Sequence, residues 1–297
     1  KLVNEETEMT RILVVLDPND DKHLALERSK ELPPDSDLDI HVVLFIQHES
    51  ANVITQTFKE RTDWLDEQVR PYIDDGYRMS TEVVLFSNLY ESVIVSALKL
   101  GADFVLKPMR QHSLFSTMLR TSTDWNLIRH CPVPLLLVSP LESTHGKPVL
   151  AAVDVCSGDD YHDDLNRIVL SQAQRIARVL GSDCALVNAY RIAMPALAVG
   201  TIDTMPLPTS KELILEREVA IQALETGAIA ENQMYVEEGN AAVAINQTAR
   251  NLNAGLIVIG TVGRQGLSGS LIGNTAESVI EGTSVDVLVV KLPKPDE

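Results

Sequence analysis

The chain repeats itself, and this repetition constrains its fold more than any other feature. The apolar run Arg11–Asp17 ends in an aspartate, and Pro148–Asp154 has the same character in the second half. Val133–Val138 likewise matches Val285–Val290. Because a repeated sequence pattern specifies a repeated structural unit, the two copies predict two similar domains.

Each unit alternates predicted strands with predicted helices. In the helix predicted over 159–180, Leu165, Val169 and Leu180 recur at helical spacing and form one apolar stripe. Alternation of this kind predicts an α/β fold in which each domain has a five-stranded, mainly parallel sheet with helices on both faces. The predicted strands are 11–17, 39–46, 81–86, 102–106, 134–138, 148–154, 183–190, 233–237, 255–259 and 285–291. The predicted helices are 20–32, 52–75, 90–100, 116–130, 159–180, 210–230, 240–253 and 274–282.

The domain boundaries follow from the repeat. We place the first domain at 10–140 and the second at 148–293, joined by a linker at 141–147. The linker lies in a stretch of Pro, Ser and Gly, a composition typical of connecting segments. Residues 1–9 and 294–297 are expected to be tails.

A glycine-rich segment follows directly on the predicted strand that ends at Ile259. Its spacing is Gly260-x2-Gly263-x9-Gly273, followed by Asn274 and Thr275. Glycines allow the backbone N–H groups to approach an anion, and the N-terminus of the following helix adds the positive end of a dipole. The spacing is neither the Walker pattern nor the dinucleotide fingerprint. We interpret it as a candidate phosphate-binding loop, with a simple turn between strand and helix as the alternative.

Charge and composition exclude some classes of partner. The formal net charge is −17, whereas nucleic acids and anionic membranes bind clustered Lys and Arg, so neither is expected as a partner. The three cysteines form no CxxC pair and are expected to be reduced, buried residues of a cytoplasmic protein, with a redox-sensing role for Cys156 as the alternative. No stretch approaches the ~18 apolar residues that span a bilayer.

Four segments together resemble the universal stress protein superfamily, and especially its tandem-domain branch: Leu16–Asn19, Thr123–Pro132, Gly260–Arg264 and Gly273–Glu277. The resemblance covers residues 10–293. It implies a cytoplasmic stress-response protein made of two flavodoxin-like domains, also described as adenine nucleotide alpha hydrolase-like. Some members of the family bind ATP through the glycine loop, and others lack the loop and bind no nucleotide.

The resemblance also implies roles for individual residues of the second domain. Asp154 would lie near the adenine or ribose, and Gly239 would allow close approach of the sugar. The residues implied to face the phosphates are Gly260, Gly263, Gly273, Asn274 and Thr275. This chain departs from the family pattern at Asn274, where Ser or Thr is usual, and Thr275 offers a hydroxyl one position later.

The first domain departs further from the pattern. Phe104–Leu106 before Lys107 is matched here to Ile257–Ile259 before Gly260. The segment Lys107–His112 contains no glycine, and Pro108 lacks the backbone donor that a phosphate would need. We therefore predict that the first domain binds no nucleotide in the manner of the family.

Two other features have alternative interpretations. Asp154 could cap the following helix, and the acidic cluster Asp159–Asp164 suits the first turn of a helix better than a metal site. No metal is expected beyond Mg²⁺ bound to a nucleotide. The apolar, proline-rich segment 192–208 is interpreted either as an interface with the first domain or a second copy, or as a lid over the site.

The sequence predicts a binding and signalling module rather than an enzyme with ordinary turnover. It contains no nucleophile elbow, HExxH motif or paired-carboxylate signature. The alternatives are a weak ATPase acting through the second domain and a carrier of an apolar or nucleotide–lipid ligand. The two domains are expected to pack in pseudo-two-fold fashion, and the sequence leaves open a homodimer and an unidentified protein partner.

Overall fold

The computed structural model describes residues 9–17, 22–34, 37–47, 51–109, 122–140, 143–155, 159–191, 209–224, 229–261 and 273–293. The first half contains β1 (Thr10–Leu16), α1 (Leu24–Ser29), β2 (Leu38–Gln47), α2 (Ala51–Asp74), β3 (Met79–Phe86), α3 (Leu89–Leu100), β4 (Phe104–Pro108), α4 (Ser122–His130) and β5 (Leu135–Val138). The second half contains β6 (Val149–Val153), α5 (Asp160–Leu180), β7 (Cys184–Tyr190), α6 (Ser210–Ala223), β8 (Met234–Glu238), α7 (Ala241–Asn251), β9 (Leu256–Gly260), α8 (Asn274–Gly282) and β10 (Asp286–Val290). The predicted alternation of strands and helices is confirmed.

The ten described strands form one continuous sheet with the order β3-β2-β1-β4-β5-β10-β9-β6-β7-β8. Within each half all the strand pairs are parallel. The halves meet at β5 and β10, which pair antiparallel with Leu136 opposite Leu288. The sequence predicted two five-stranded sheets and did not predict that they join edge to edge. The pairing satisfies the backbone of the edge strand that each half would otherwise expose.

The core differs between the two faces of the sheet. On the face covered by α3, α4, α7 and α8, one apolar cluster runs through both halves and includes Val105, Leu137, Ile257 and Val287. On the other face, α1 and α2 cover one cluster and α5 and α6 cover a second. The half-buried Leu32, Phe104 and Leu136 pack against both of these clusters.

A buried polar group lies at the junction of the halves. Asp286, the first residue of β10, accepts hydrogen bonds from the backbone N–H and the hydroxyl of Ser139, both at 2.8 Å. Arg28 of α1 forms an ion pair with the Asp286 carboxylate. Burial raises the pKa of Asp286 to about 6, although the Arg28 charge acts in the opposite direction. Beside this pair, Glu31 accepts the backbone N–H of Thr144 at 3.0 Å.

None of the helices in the described part of the chain combines the length and the apolar character needed to cross a membrane.

Candidate functional site

A cavity of about 430 Å³ lies at the carboxyl ends of β6 and β9, where the flanking strand connections diverge to opposite faces of the sheet. This is the edge at which open α/β sheets bind ligands. Five of the seven predicted site residues line it: Asp154, Gly260, Gly273, Asn274 and Thr275. The remaining wall is largely apolar, with Ala152, Ala189, Ala241, Ile245 and Ile259 among its residues.

Asp154 is held by a side chain that the sequence analysis did not identify. The amide of Asn166, on α5, accepts the backbone N–H of Asp154 at 2.9 Å and donates to its carbonyl oxygen at 2.7 Å. Asn166 is buried and also lines the cavity. The available signal was a polar residue between Leu165 and Val169 on the buried face of an amphipathic helix. The clamp fixes the backbone of Asp154 at the mouth of the cavity.

Gly260 has a packing role that the phosphate-loop interpretation did not include. A Cβ atom at this position would lie 2.6 Å from Cδ2 of Leu165. This separation is too short for two carbon atoms, so the absence of a side chain allows α5 to pack against the end of β9. The glycine therefore shapes the cavity by bringing α5 close to it.

The first turn of α8 forms one wall of the cavity. Its N-cap residue, Gly273, has an extended backbone and offers no side-chain cap. The first N–H groups of a helix have no partners within the helix, so they are donors for an anion. Asn274, Thr275 and Ala276 of this turn all line the cavity. The geometry favours a negatively charged ligand group at α8.

The first turn of α5 differs from that of α8 because a side chain caps it. The carboxylate of Asp159 accepts the backbone N–H of His162 at 2.9 Å and lies 2.7 Å from its Nδ1. His162 also lines the cavity. Among the described residues, no group of three or more His, Cys, Asp or Glu side chains is arranged to hold a metal ion.

The other predicted features do not line this cavity or lie outside the described residues. Gly239 follows β8 with a φ of 130°, a conformation suited to glycine, and its N–H donates to the carbonyl of Tyr190. It belongs to a separate groove along α7. Gly263 and the apolar segment 192–208 lie outside the described residues.

The strand register corrects how the two halves were matched. Phe104 pairs with Ile12 and Leu256 pairs with Val149. Ile12 and Val149 are each the second residue of the matched runs Arg11–Asp17 and Pro148–Asp154. Pro108, not Lys107, therefore corresponds to Gly260. The error arose because two runs of similar apolar residues can be aligned one position out of register and still match in character.

In the corrected match, two charged residues of the first half stand where the second half has two residues that line the cavity. Lys107 corresponds to Ile259, and Asp124 of α4 corresponds to Ala276 of α8, since each helix buries this residue in its first turn. Nζ of Lys107 lies 2.6 Å from Oδ1 of Asp124, and both side chains are more than nine-tenths buried. The first half thus has a buried ion pair where the second half has an apolar cavity wall.

Comparisons with known proteins agree with this architecture. The model of the universal stress protein family matches residues 8–139 and again residues 147–291. Universal stress protein E of Escherichia coli K12 is 31% identical over 300 residues, covering 96% of this chain and 94% of the relative. The corresponding protein of Photorhabdus laumondii is 30% identical over 295 residues and covers 94% of both chains.

Two solved structures extend the comparison. A Pseudomonas aeruginosa UCBPP-PA14 protein assigned to the universal stress proteins is 28% identical, with a TM-score of 0.78 over 96% of this chain and 94% of that one. A universal stress protein from Archaeoglobus fulgidus DSM 4304 shares the fold at 18% identity, with a TM-score of 0.64 over 96% and 99% of the two chains. The chain is a member of the universal stress protein family, a stress-response protein that carries two family domains in tandem like Universal stress protein E.

Proposed function

We propose that the second half of this protein binds an adenine nucleotide, ATP or a close relative, and that the protein acts as a binding and signalling module of the stress response. The observation that carries the proposal is the convergence of Asp154, Gly260 and the first turn of α8 on one cavity. Its volume of about 430 Å³ lies within the range of roughly 300–1,000 Å³ typical of small-molecule sites.

The charges on the wall suggest an orientation for the nucleotide. The backbone N–H groups of the first turn of α8 and the Thr275 hydroxyl would face the phosphates. The Asp154 carboxylate would repel phosphate, so it would face the ribose or adenine as a hydrogen-bond acceptor. Gly239 at the sugar and Gly263 at the phosphates remain part of the proposal through the family resemblance alone. A Mg²⁺ ion would accompany the nucleotide, without a separate protein site.

We propose that the first half binds no nucleotide at the equivalent place. Lys107 and Asp124 contribute a buried ion pair there, and Pro108 removes a backbone donor. The Lys107 charge is already neutralised by Asp124, so the pair offers a phosphate no net countercharge. The role of this half would then be structural or in contacts with a protein partner or a second copy of the chain.

The proposal includes a layout of two domains, 10–140 and 148–293, in a cytoplasmic protein.

Cys131 is buried, and burial raises the pKa of its thiol. Burial also raises the pKa of the Cys184 thiol to about 11. Both thiols are therefore protonated at neutral pH and react slowly, as expected of structural cysteines in a reducing compartment.

The test is native and denaturing mass spectrometry of the purified protein, followed by calorimetric titration with ATP. We expect ATP or ADP at about one per chain. Thr275→Val should weaken ATP binding, whereas Thr123→Val, the matched change in α4, should leave it unchanged. A protein that carries no nucleotide and fails to bind added ATP would contradict the proposal.

The same experiment separates the alternative functions. Release of phosphate from bound ATP, lost in Thr275→Val and retained in Thr123→Val, would identify a weak ATPase. An apolar or nucleotide–lipid molecule in the denatured spectrum would identify a carrier. Retained ATP without turnover would support the binding module.

A further inference from the structure

His162 is the one cationic or cationisable side chain on the described wall of the cavity. The other ionisable group on this wall is the Asp154 carboxylate. The residues that β9, α7 and α8 contribute, such as Ile259, Ile245 and Asn274, are uncharged. A polyanionic ligand in this acidic protein would therefore find its only described side-chain countercharge at His162.

The imidazole of His162 is held in one orientation. Its Nδ1 lies 2.7 Å from Oδ1 and 2.8 Å from Oδ2 of Asp159, and Oδ1 also accepts the backbone N–H of His162. The ring of Tyr161 packs edge-on against it, with 6.0 Å between the ring centroids. The hydrogen bonds from His162 lower the pKa of Asp159, so this carboxylate stays ionised and keeps the proton on Nδ1. With Nδ1 engaged by Asp159, Nε2 is the ring nitrogen that the described residues leave for a ligand.

We infer that His162 is a ligand-contacting residue of this cavity and that its Nε2 donates a hydrogen bond to a phosphate of the bound nucleotide. The inference rests on the proposed function and adds a residue that the glycine-loop pattern does not include. Asp159 is then a positioning residue, because its carboxylate engages Nδ1 and orients the imidazole. Both residues belong to the start of α5. The same helix carries Asn166, which forms hydrogen bonds with the backbone of Asp154.

This contact makes the affinity for phosphates depend on pH. A phosphate favours the imidazolium over the neutral ring, so ATP should bind more tightly at pH 6 than at pH 8. Adenosine carries no phosphate, so its affinity should not follow this change. The other charged groups here are the carboxylates of Asp159, which lies against Nδ1, and of Asp154 on the same cavity wall, and a substitution at His162 leaves both in place.

The experiment is calorimetric titration of ATP and adenosine at pH 6 and pH 8 into the full chain and into His162→Gln. We expect ATP to bind the unaltered protein about tenfold more tightly at pH 6, as for a charge-assisted hydrogen bond worth roughly 1.4 kcal/mol. His162→Gln should remove this difference and leave adenosine binding unchanged. His145→Gln should behave like the unaltered protein, because its neighbour Thr144 packs against Gly255 at the opposite end of β9.

Two results would count against the inference in distinguishable ways. If His162→Gln keeps the pH slope for ATP, His162 does not contact the phosphates, and the proposed function stands. If the unaltered protein binds neither ATP nor adenosine, the proposed function and the inference both fail. Nitrogen NMR of the unaltered protein gives a second test without any substitution: the Nε2 resonance of His162 should shift with ATP and not with adenosine.

Discussion

Nε of Arg28 lies 2.8 Å from Oδ2 of Asp286, and this contact joins α1 of the first half to β10 of the second. Both side chains are more than nine-tenths buried. The pair lies beside the antiparallel junction of β5 and β10, where Ser139 completes the hydrogen bonding of the carboxylate. The junction thus combines backbone pairing with a buried ion pair that neither half could form alone.

Removing the cation of this pair should destabilise the whole molecule. Arg28→Met leaves Asp286 buried without its countercharge, which typically costs about 3–5 kcal/mol. Urea unfolding at pH 7.5 measures the loss. Arg167→Met is the matched control, since Arg167 pairs with Asp164 on the surface and such pairs contribute at most about 1 kcal/mol. Equal losses in the two variants would show that the junction pair contributes no more than a surface pair.

The same carboxyl group predicts how stability changes with pH. The pKa of Asp286 is about 6 in the folded state, against about 3.9 in an unfolded chain, so the folded protein holds this proton more tightly. Its contribution of roughly 3 kcal/mol is present below pH 4 and is lost as pH rises through 6. We therefore measure the free energy of unfolding of the unaltered protein relative to that of Asp286→Asn. This difference should be smaller at pH 7.5 than at pH 4. A difference of the opposite sign would show that Arg28 outweighs burial.

The buried pair of the first half should show strong coupling. Asp124→Ala leaves the Lys107 ammonium buried without its partner and should cost about 3–5 kcal/mol. Lys107→Ile together with Asp124→Ala installs the residues found in the second half, and should recover most of that loss because both charges are gone. Chemical denaturation of the two single variants and the double variant gives the coupling energy. Additive losses would contradict a direct interaction.

A methyl group on Gly260 should be poorly tolerated. Gly260→Ala forces Leu165 of α5 away from the end of β9, at a cost of about 1–3 kcal/mol. Because α5 also forms part of the cavity wall, nucleotide binding should weaken as well. Leu165→Ala removes the clashing atoms, so the loss for the double variant should be smaller than the sum of the single losses. Thermal unfolding measures all three variants, and additivity would show that the clash is relieved elsewhere.

Much of the fold could be predicted from hydrophobic periodicity. The ten strands lie within two residues of their predicted starts and ends, because buried parallel strands give short apolar runs bounded by polar residues. The helix predicted over 20–32 is shorter, since α1 spans only Leu24–Ser29. His23, at its N-cap, has a left-handed backbone, which an apolar pattern does not indicate.

The relations between distant residues could not be predicted in the same way. An apolar run shows that β5 and β10 are buried, but it does not say which strand pairs with which. Asp286, a carboxylate at the start of such a run, was a signal for a buried partner, and the sequence does not identify Arg28 as that partner. Asn166 was hidden in the same way, and His162 stood out only within the acidic cluster Asp159–Asp164. Each lies on α5 and reaches the site only through tertiary packing.

Because β5 and β10 pair antiparallel, the carboxyl ends of the strands of the two halves face opposite ends of the sheet. A symmetric dimer of separate subunits must carry every substitution at both of these ends. Covalent fusion removes that constraint, so one end can acquire the Lys107–Asp124 pair while the other keeps its cavity. The tandem chain is in this sense an obligate heterodimer encoded once, with one end that holds a cavity and one end that holds a buried ion pair.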